Sequence, residues 1–356
     1  MSRPRRVALI GLLAAGRSGV PRYTASVVRA LDAVAGEFSD LALRLVATRA
    51  ALDAVGPVRL ETTIVGATLG NPTAGPRRLL AEQLAARSAN ADLLHFFDLS
   101  GPLLAPRRAF VTTLHDASGT SGRRRLRFGY KRFVQPWALR HATAIVAVSA
   151  FSRDEAVARW SADSARVTVV HSGPGLEPDG RLPRADGDFL LYVGDLSRHK
   201  NLQFLVDVVA RAEVPLVLAG RPGDGYAQLE EHVAASQAEV RLVTAPTDAE
   251  LERLYGSAVA TVLPSRYEGF GFTPLEAMAR DCPVLASDIP AVREVSGDGA
   301  LLLPLDDETA WVTAVRDVTA DERVRADLRV RGRETVSRYS WERTARQLCD
   351  VFRSVS

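Results

Sequence analysis

The sequence predicts an α/β chain of two doubly wound parallel-sheet domains, and three observations carry that prediction. Short apolar runs without polar alternation recur from end to end, with helical patterns between them, as strands buried on both faces do. The series stops once, over His171–Asp188, where three prolines and four glycines crowd together, and then starts afresh. The length of 356 residues suits two domains at roughly 150 residues each.

In the first half the apolar runs are Val7–Gly11, Leu41–Val46, Leu93–Phe97, Phe110–Leu114, Ala144–Val148 and Val167–Val170, with helical segments such as Arg22–Leu31 and Phe151–Arg159 following several of them. The second half repeats the scheme with Phe189–Val193, Leu216–Ala219, Val240–Val243, Val259–Leu263, Val284–Ser287 and Ala300–Leu303. This sets domains over residues 1–175 and 189–339 with a linker over 176–188. The tail 340–356 places Trp341, Leu348, Val351 and Phe352 on one helical stripe. Either domain could receive it, and it is a candidate to pack back on the N-terminal one. Two such sheets facing each other would bring their carboxyl ends around one cleft, where ligands bind.

Composition bounds the classes. With 47% hydrophobic and 24% charged residues, disordered, collagenous and disulfide-scaffold chains are excluded. Cys282 and Cys349 are isolated; they form no disulfide framework and no metal-ligand spacing, which suits the cytoplasm. No run approaches the ~18 apolar residues of a membrane span. Arg3, Arg5 and Arg6 before Val7–Gly11 imitate a signal peptide. Nothing after Gly16 resembles a cleavage site, so the stretch reads as a first strand entering a Gly-rich turn.

The net charge of +3 hides a split. Residues 1–180 hold 24 basic and 14 acidic side chains, and residues 181–356 hold 21 and 28. Only Lys131 and Lys200 are lysine. The acid-free run Arg123, Arg124, Arg125, Arg127, Lys131 and Arg132, with Phe128 and Tyr130, is either a solvated basic face or a docking surface for anionic lipid headgroups or an acidic acceptor. Peripheral contact at the inner face of the membrane would follow from the lipid alternative. Nucleic acid has little support, because the charge is local and no reader motif is present.

The most informative segment is Ser265-Arg266-Tyr267-Glu268-Gly269-Phe270-Gly271-Phe272-Thr273-Pro274-Leu275-Glu276-Ala277-Met278, between a buried strand and a helix. Thr273 suits an N-cap, Pro274 the first helical position and Glu276 the third. A capping box, with Glu276 turned back onto the Thr273 amide, accounts for these residues by itself. It leaves Gly269 and Gly271 unexplained. Two glycines in such a turn let bare backbone approach a ligand, and the amides beyond them suit an anion such as a diphosphate. Glu268 and Glu276, as hydrogen-bond acceptors, then suit a polyol at each end: a sugar and a ribose.

These residues resemble a family. Glu268 and Glu276, seven residues apart within EGFGFTPLE, match the E-x7-E motif of retaining nucleotide-sugar glycosyltransferases of family 4, with the GT-B fold of two Rossmann-like domains. The resemblance spans essentially the whole chain and is most specific over Leu251–Leu303. It implies that Glu268, with Gly269 and Phe270, lies at the donor sugar near the reacting carbon. It also implies that Glu276 binds the ribose, and that Gly271, Phe272 and Thr273 hold the diphosphate. No metal or other cofactor is implied.

The turn Gly194-Asp195-Leu196-Ser197-Arg198-His199-Lys200-Asn201 could be a solvated cationic surface. At the end of a strand, however, Arg198 and Lys200 can neutralise a leaving diphosphate, and the turn resembles the family's Gly-…-Arg-x-Lys-Asn segment. Asp195 departs from it, since many relatives carry a basic residue directly after the glycine. In the first domain His115-Asp116 resembles the family's His-Asp pair. His115 is the candidate contact to donor sugar or acceptor, and Asp116 a lesser one. GRSGVPRYT at residues 16–24 resembles the family's glycine loop, with Gly19 a candidate phosphate or acceptor contact and Pro21 replacing the usual second glycine.

The expected function is transfer of a hexose-type sugar from a nucleoside diphosphate, UDP- or GDP-linked, to an acceptor hydroxyl. The acceptor is a glycan, a lipid-linked saccharide or a small natural product. A catalytically idle nucleotide-sugar-binding partner protein is the alternative. A P-loop NTPase over Gly11–Ser18 is disfavoured because Arg17 stands where that motif needs lysine. Asp186-Gly187-Asp188 imitates a metal-binding D-x-D but precedes a strand. A pyridoxal-phosphate phosphorylase lacks a suitable lysine.

Overall fold

The computed structural model describes residues 3–15, 19–65, 75–104, 108–116, 125–176 and 187–355. The chain divides into two compact units, Met1–Gly173 with Tyr339–Ser356, and Pro174–Arg338.

Unit 1 is built on β1 (Arg5–Ile10), β2 (Leu41–Ala47), β3 (Glu61–Ile64), β4 (Leu93–Phe96), β5 (Phe110–Leu114), β6 (Ala144–Ala147) and β7 (Val167–Val169). They form one sheet in the order β3-β2-β1-β4-β5-β6-β7, every described pair parallel. The β1, β4, β5 and β6 residues are mostly or wholly buried, as their unbroken apolar runs require. β3 has no such run: Glu-Thr-Thr-Ile lies at the sheet edge and is largely exposed, so the pattern that betrays the other strands is missing there.

Unit 2 repeats the plan with β8 (Leu190–Val193), β9 (Leu216–Gly220), β10 (Val240–Thr244), β11 (Ala260–Leu263), β12 (Val284–Ser287) and β13 (Leu301–Leu303). Their order is β10-β9-β8-β11-β12-β13, again parallel. In each sheet the winding reverses at one place, between β1 and β4 and between β8 and β11. The loops leaving such neighbouring strands diverge and open a crevice at the carboxyl ends.

The tail forms the helix Trp341–Ser354, capped by Ser340, whose Oγ accepts from the Arg343 amide at 3.1 Å. It packs on unit 1 with Trp341, Leu348 and Phe352 buried. Thr344 Oγ1 donates to the His171 carbonyl at 2.7 Å, and Arg346 pairs with Glu37 at 2.8 Å. The linker residues 177–186, with the first member of the D-x-D-like triplet, lie outside the described residues, as do Arg123 and Arg124 and residues 16–18 of the glycine loop.

Candidate functional site

In unit 2 the two segments singled out from sequence leave β8 and β11, the neighbours at the sheet's reversal point. The first turns tightly at Gly194, whose amide donates to the Ala219 carbonyl at 3.0 Å. It then forms a single turn over Arg198–Lys200 and enters the helix Leu202–Ala212 through Asn201. The second segment is tied to this turn twice. The Arg266 amide donates to the His199 carbonyl at 2.9 Å, and the Arg266 guanidinium donates to Asn201 Oδ1 at 3.1 and 3.2 Å.

Between these ties Lys200 Nζ meets Glu268 Oε1 at 2.6 Å, with only 13% and 14% of the two side chains exposed. The geometry thus joins the cation of one motif to the carboxylate of the other. Burial, with the carboxylates of Glu268 and Asp195 nearby, pushes the Tyr192 phenol at the end of β8 well above its ordinary range. Arg198 does not share that contact. Its side chain is 66% exposed, and its carboxylate neighbour is Asp224 at 3.9 Å. Asp195, the departure from the family's turn, is met by Arg221 at 3.1 Å.

The capping box is corrected by the structure. The N-cap of the helix Phe272–Met278 is Gly271, at φ +96°, and no side chain caps it. That left-handed backbone is open to glycine and strained for other residues. Thr273 is inside the helix, and its hydroxyl donates to the Val193 carbonyl at 3.0 Å, fastening the helix start to the end of β8. The hydroxyl expected to accept from a local amide instead donates to a tertiary carbonyl. Phe270 is buried, its ring 5.3 Å from that of Phe272, and Gly269 is partly exposed beside it.

Glu276 is buried and accepts from the Tyr255 hydroxyl at 2.8 Å. Burial and this carboxylate hold the Tyr255 phenol well above its usual range. Arg280 donates to the Glu276 carbonyl at 2.8 Å and to Leu176 at 3.0 Å, and lies over the Tyr255 ring at 5.3 Å. The other oxygen of Glu276 faces Gly175, where an added Cβ would stand 2.5 Å away. Sequence reasoning missed both neighbours. Tyr255 lies in the helix Asp248–Ser257, outside both singled-out motifs, and Gly175 is the last residue of the first domain as set from the sequence.

In unit 1 His115 follows β5, partly exposed, with Nε2 2.9 Å from the Phe97 carbonyl. Its ring stands edge-on to Tyr23 at 4.6 Å. Asp116 follows, also partly exposed, and Gly19 begins the helix Gly19–Val34. Beneath them His95 is fully buried, with Nε2 3.0 Å from Thr113 Oγ1. Burial and the neighbouring His115 push its pKa down to about 3.

Among the described residues no group of three or more His, Cys, Asp or Glu side chains has metal-ligand spacing, and no helix is long and apolar enough to cross a membrane.

Comparison with known proteins covers both units. A family model described as Glycosyltransferase Family 4 matches residues 17–176, and one described as Glycosyl transferases group 1 matches residues 178–335. The chain is 29% identical over 194 residues to the O-antigen chain mannosyltransferase RfbU of Salmonella typhimurium, covering 53% of this chain and 54% of that protein. It is 28% identical over 268 residues to the O-antigen chain mannosyltransferase B of Escherichia coli, covering 68% and 70%. The chain thus spans about half the length of the first of these relatives. In fold it is similar to the sucrose-phosphate synthase of Thermosynechococcus elongatus, with a TM-score of 0.74, 21% identity and 98% of each chain covered.

Proposed function

Because the chain belongs to the family 4-type glycosyltransferases of GT-B fold, we propose that it is a retaining hexosyltransferase. It takes its sugar from UDP or GDP and delivers it to a saccharide hydroxyl. The observation that carries this reading is the Lys200–Glu268 contact at 2.6 Å, which joins the two candidate donor segments at the carboxyl ends of β8 and β11.

In this reading Lys200 and the amides of Gly271, Phe272 and Thr273 bind the diphosphate and stabilise it as it leaves. Arg198, with most of its side chain in solvent, can swing from Asp224 to add a second cation. Glu268, Gly269 and Phe270 line the sugar, and Glu276, aimed by Tyr255, accepts from the ribose hydroxyls. His115 hydrogen-bonds a sugar or acceptor hydroxyl from unit 1, with Asp116 and Gly19 as lesser contacts. The glycosidic bond breaks toward an oxocarbenium-like state. The acceptor oxygen attacks from the same face, and the departing diphosphate oxygen takes its proton. Lys200 and the turn amides supply the charge stabilisation for this step, so the proposal requires no metal.

The two mannosyltransferase relatives favour a hexosyl donor and a growing saccharide as acceptor. Phe133, 73% exposed directly after the basic run, supports peripheral docking of a cytoplasmic enzyme on anionic lipid. The experiment is a thermal-shift screen against UDP-, GDP-, dTDP- and ADP-sugars, followed by transfer assays on the hits. The anomeric configuration of the product is then read by NMR. Transfer with retention is expected, and an inverted product, or donor binding without turnover, would overturn the proposal.

A further inference from the structure

We infer that Tyr23 and Trp341 are positioning residues for His115, fixing its imidazole as the tautomer protonated on Nε2 with the Nδ1 lone pair presented to a ligand hydroxyl. The inference deepens the proposed transfer reaction and rests on it for the identity of that hydroxyl. A carbonyl oxygen only accepts, so the 2.9 Å contact to the Phe97 carbonyl requires the hydrogen on Nε2. In the neutral ring Nδ1 is then an acceptor, and it has no hydrogen-bond partner among the described residues. A ring flip would forfeit the Phe97 bond.

Packing holds this orientation. Tyr23 meets the His115 ring edge-on, with centroids 4.6 Å apart and planes at 85°. Tyr23 is itself fully buried, and its hydroxyl approaches Thr113 without reaching hydrogen-bond geometry. Behind it stands Trp341, 5.7 Å away at 67°. Trp341 opens the C-terminal helix and is pressed against Gly173, where an added Cβ would lie 2.7 Å from its ring. On the other side the Ser152 hydroxyl donates to the His115 carbonyl at 3.2 Å. The last helix of the chain thereby reaches a candidate site residue more than two hundred positions earlier through one intervening ring.

The test is long-range 1H–15N NMR of the full-length protein labelled at histidine, with the His115 signals assigned by their loss in His115→Gln. The expected signature is a protonated Nε2 and a bare Nδ1. Tyr23→Phe and Trp341→Phe, which keep a ring, should preserve both the signature and turnover. Tyr23→Leu and Trp341→Leu should give mixed tautomers and lower kcat/KM about tenfold, the loss of one oriented hydrogen bond. Affinity for the bare nucleoside diphosphate, assigned to unit 2, should stay unchanged.

Protonation on Nδ1 in the unaltered protein overturns the inference without any variant having to fold. So does a tautomer and kcat/KM unaffected in both leucine variants. Donor binding without turnover in the unaltered protein would instead defeat the transfer reading and leave the tautomer result standing.

Discussion

Acidification should loosen unit 1 through His95 before any carboxylate is involved. His95 is buried against Phe97 and Phe352, with ring centroids 4.5 and 5.3 Å away, and is held neutral by burial and by His115. Its pKa falls from 6.5 to about 3 on folding. Between those values the unfolded chain binds the proton that the folded chain refuses, so stability present above 6.5 is lost as pH falls. Linkage over that interval gives a loss of about 2 kcal/mol between pH 7 and pH 5. For a unit of this size that is a melting-temperature drop of about 4–8 °C. Carboxylates held low by arginine partners, such as Glu37 by Arg346 and Asp40 by Arg353, lose their contribution only at lower pH, which leaves this window to histidine. The assay compares melting of the full chain at the two pH values with that of His95→Leu. Comparing slopes removes the cost of the substitution itself. If the variant loses as much between pH 7 and pH 5 as the unaltered protein, His95 is not the group that titrates.

Two further outcomes test unit 2. Gly175→Ala would place a methyl group 2.5 Å from Glu276 Oε1 and 2.9 Å from the Phe272 ring, so nucleotide-sugar affinity should fall about tenfold or more, measured by calorimetry. Unchanged affinity would remove Glu276 from the ribose. Lys200→Ala should weaken nucleoside-diphosphate binding by roughly 2 kcal/mol, the scale of a charge-assisted hydrogen bond. Equal affinity in the same titration would return Lys200 to a surface role.

The legible parts of the chain are those where one physical cause dominates. Phe110–Leu114 and Val284–Ser287 read as strands to the residue because both faces are buried and the apolar runs are unbroken. Glu61–Ile64 does not, because an edge strand needs no such run. Lys200 and Glu268 could each be assigned to a strand-end turn, and the parallel order then makes those turns neighbours. The failure at Thr273 has the opposite cause. Thr-Pro-x-Glu satisfies a local capping rule, but the Val193 carbonyl and the Tyr255 hydroxyl, distant in sequence, compete for the same side-chain atoms and hold them. The Tyr23–Trp341 stack was invisible for a like reason: both rings fit helical apolar stripes and look like ordinary core.

The ion pair at the proposed donor site bears on the role of Glu268. Lys200 already meets Glu268, and Asp195 is offset by Arg221, while the Arg266 guanidinium is held by the Asn201 amide oxygen. A diphosphate approaching Lys200 must compete with Glu268 for it and tolerate a second anion beside it. Removing the carboxylate should therefore do two opposite things. Glu268→Ala abolishes transfer, because the sugar loses its partner at the reacting carbon. The same change frees Lys200, and affinity for the bare nucleoside diphosphate rises about fivefold, or about 1 kcal/mol. A residue serving only the scaffold would weaken both, and a residue binding only phosphate through Lys200 would leave transfer largely intact. Calorimetry with UDP and GDP beside a transfer assay separates the three, and a Glu268→Ala protein that binds more weakly while still turning over would refute the assignment.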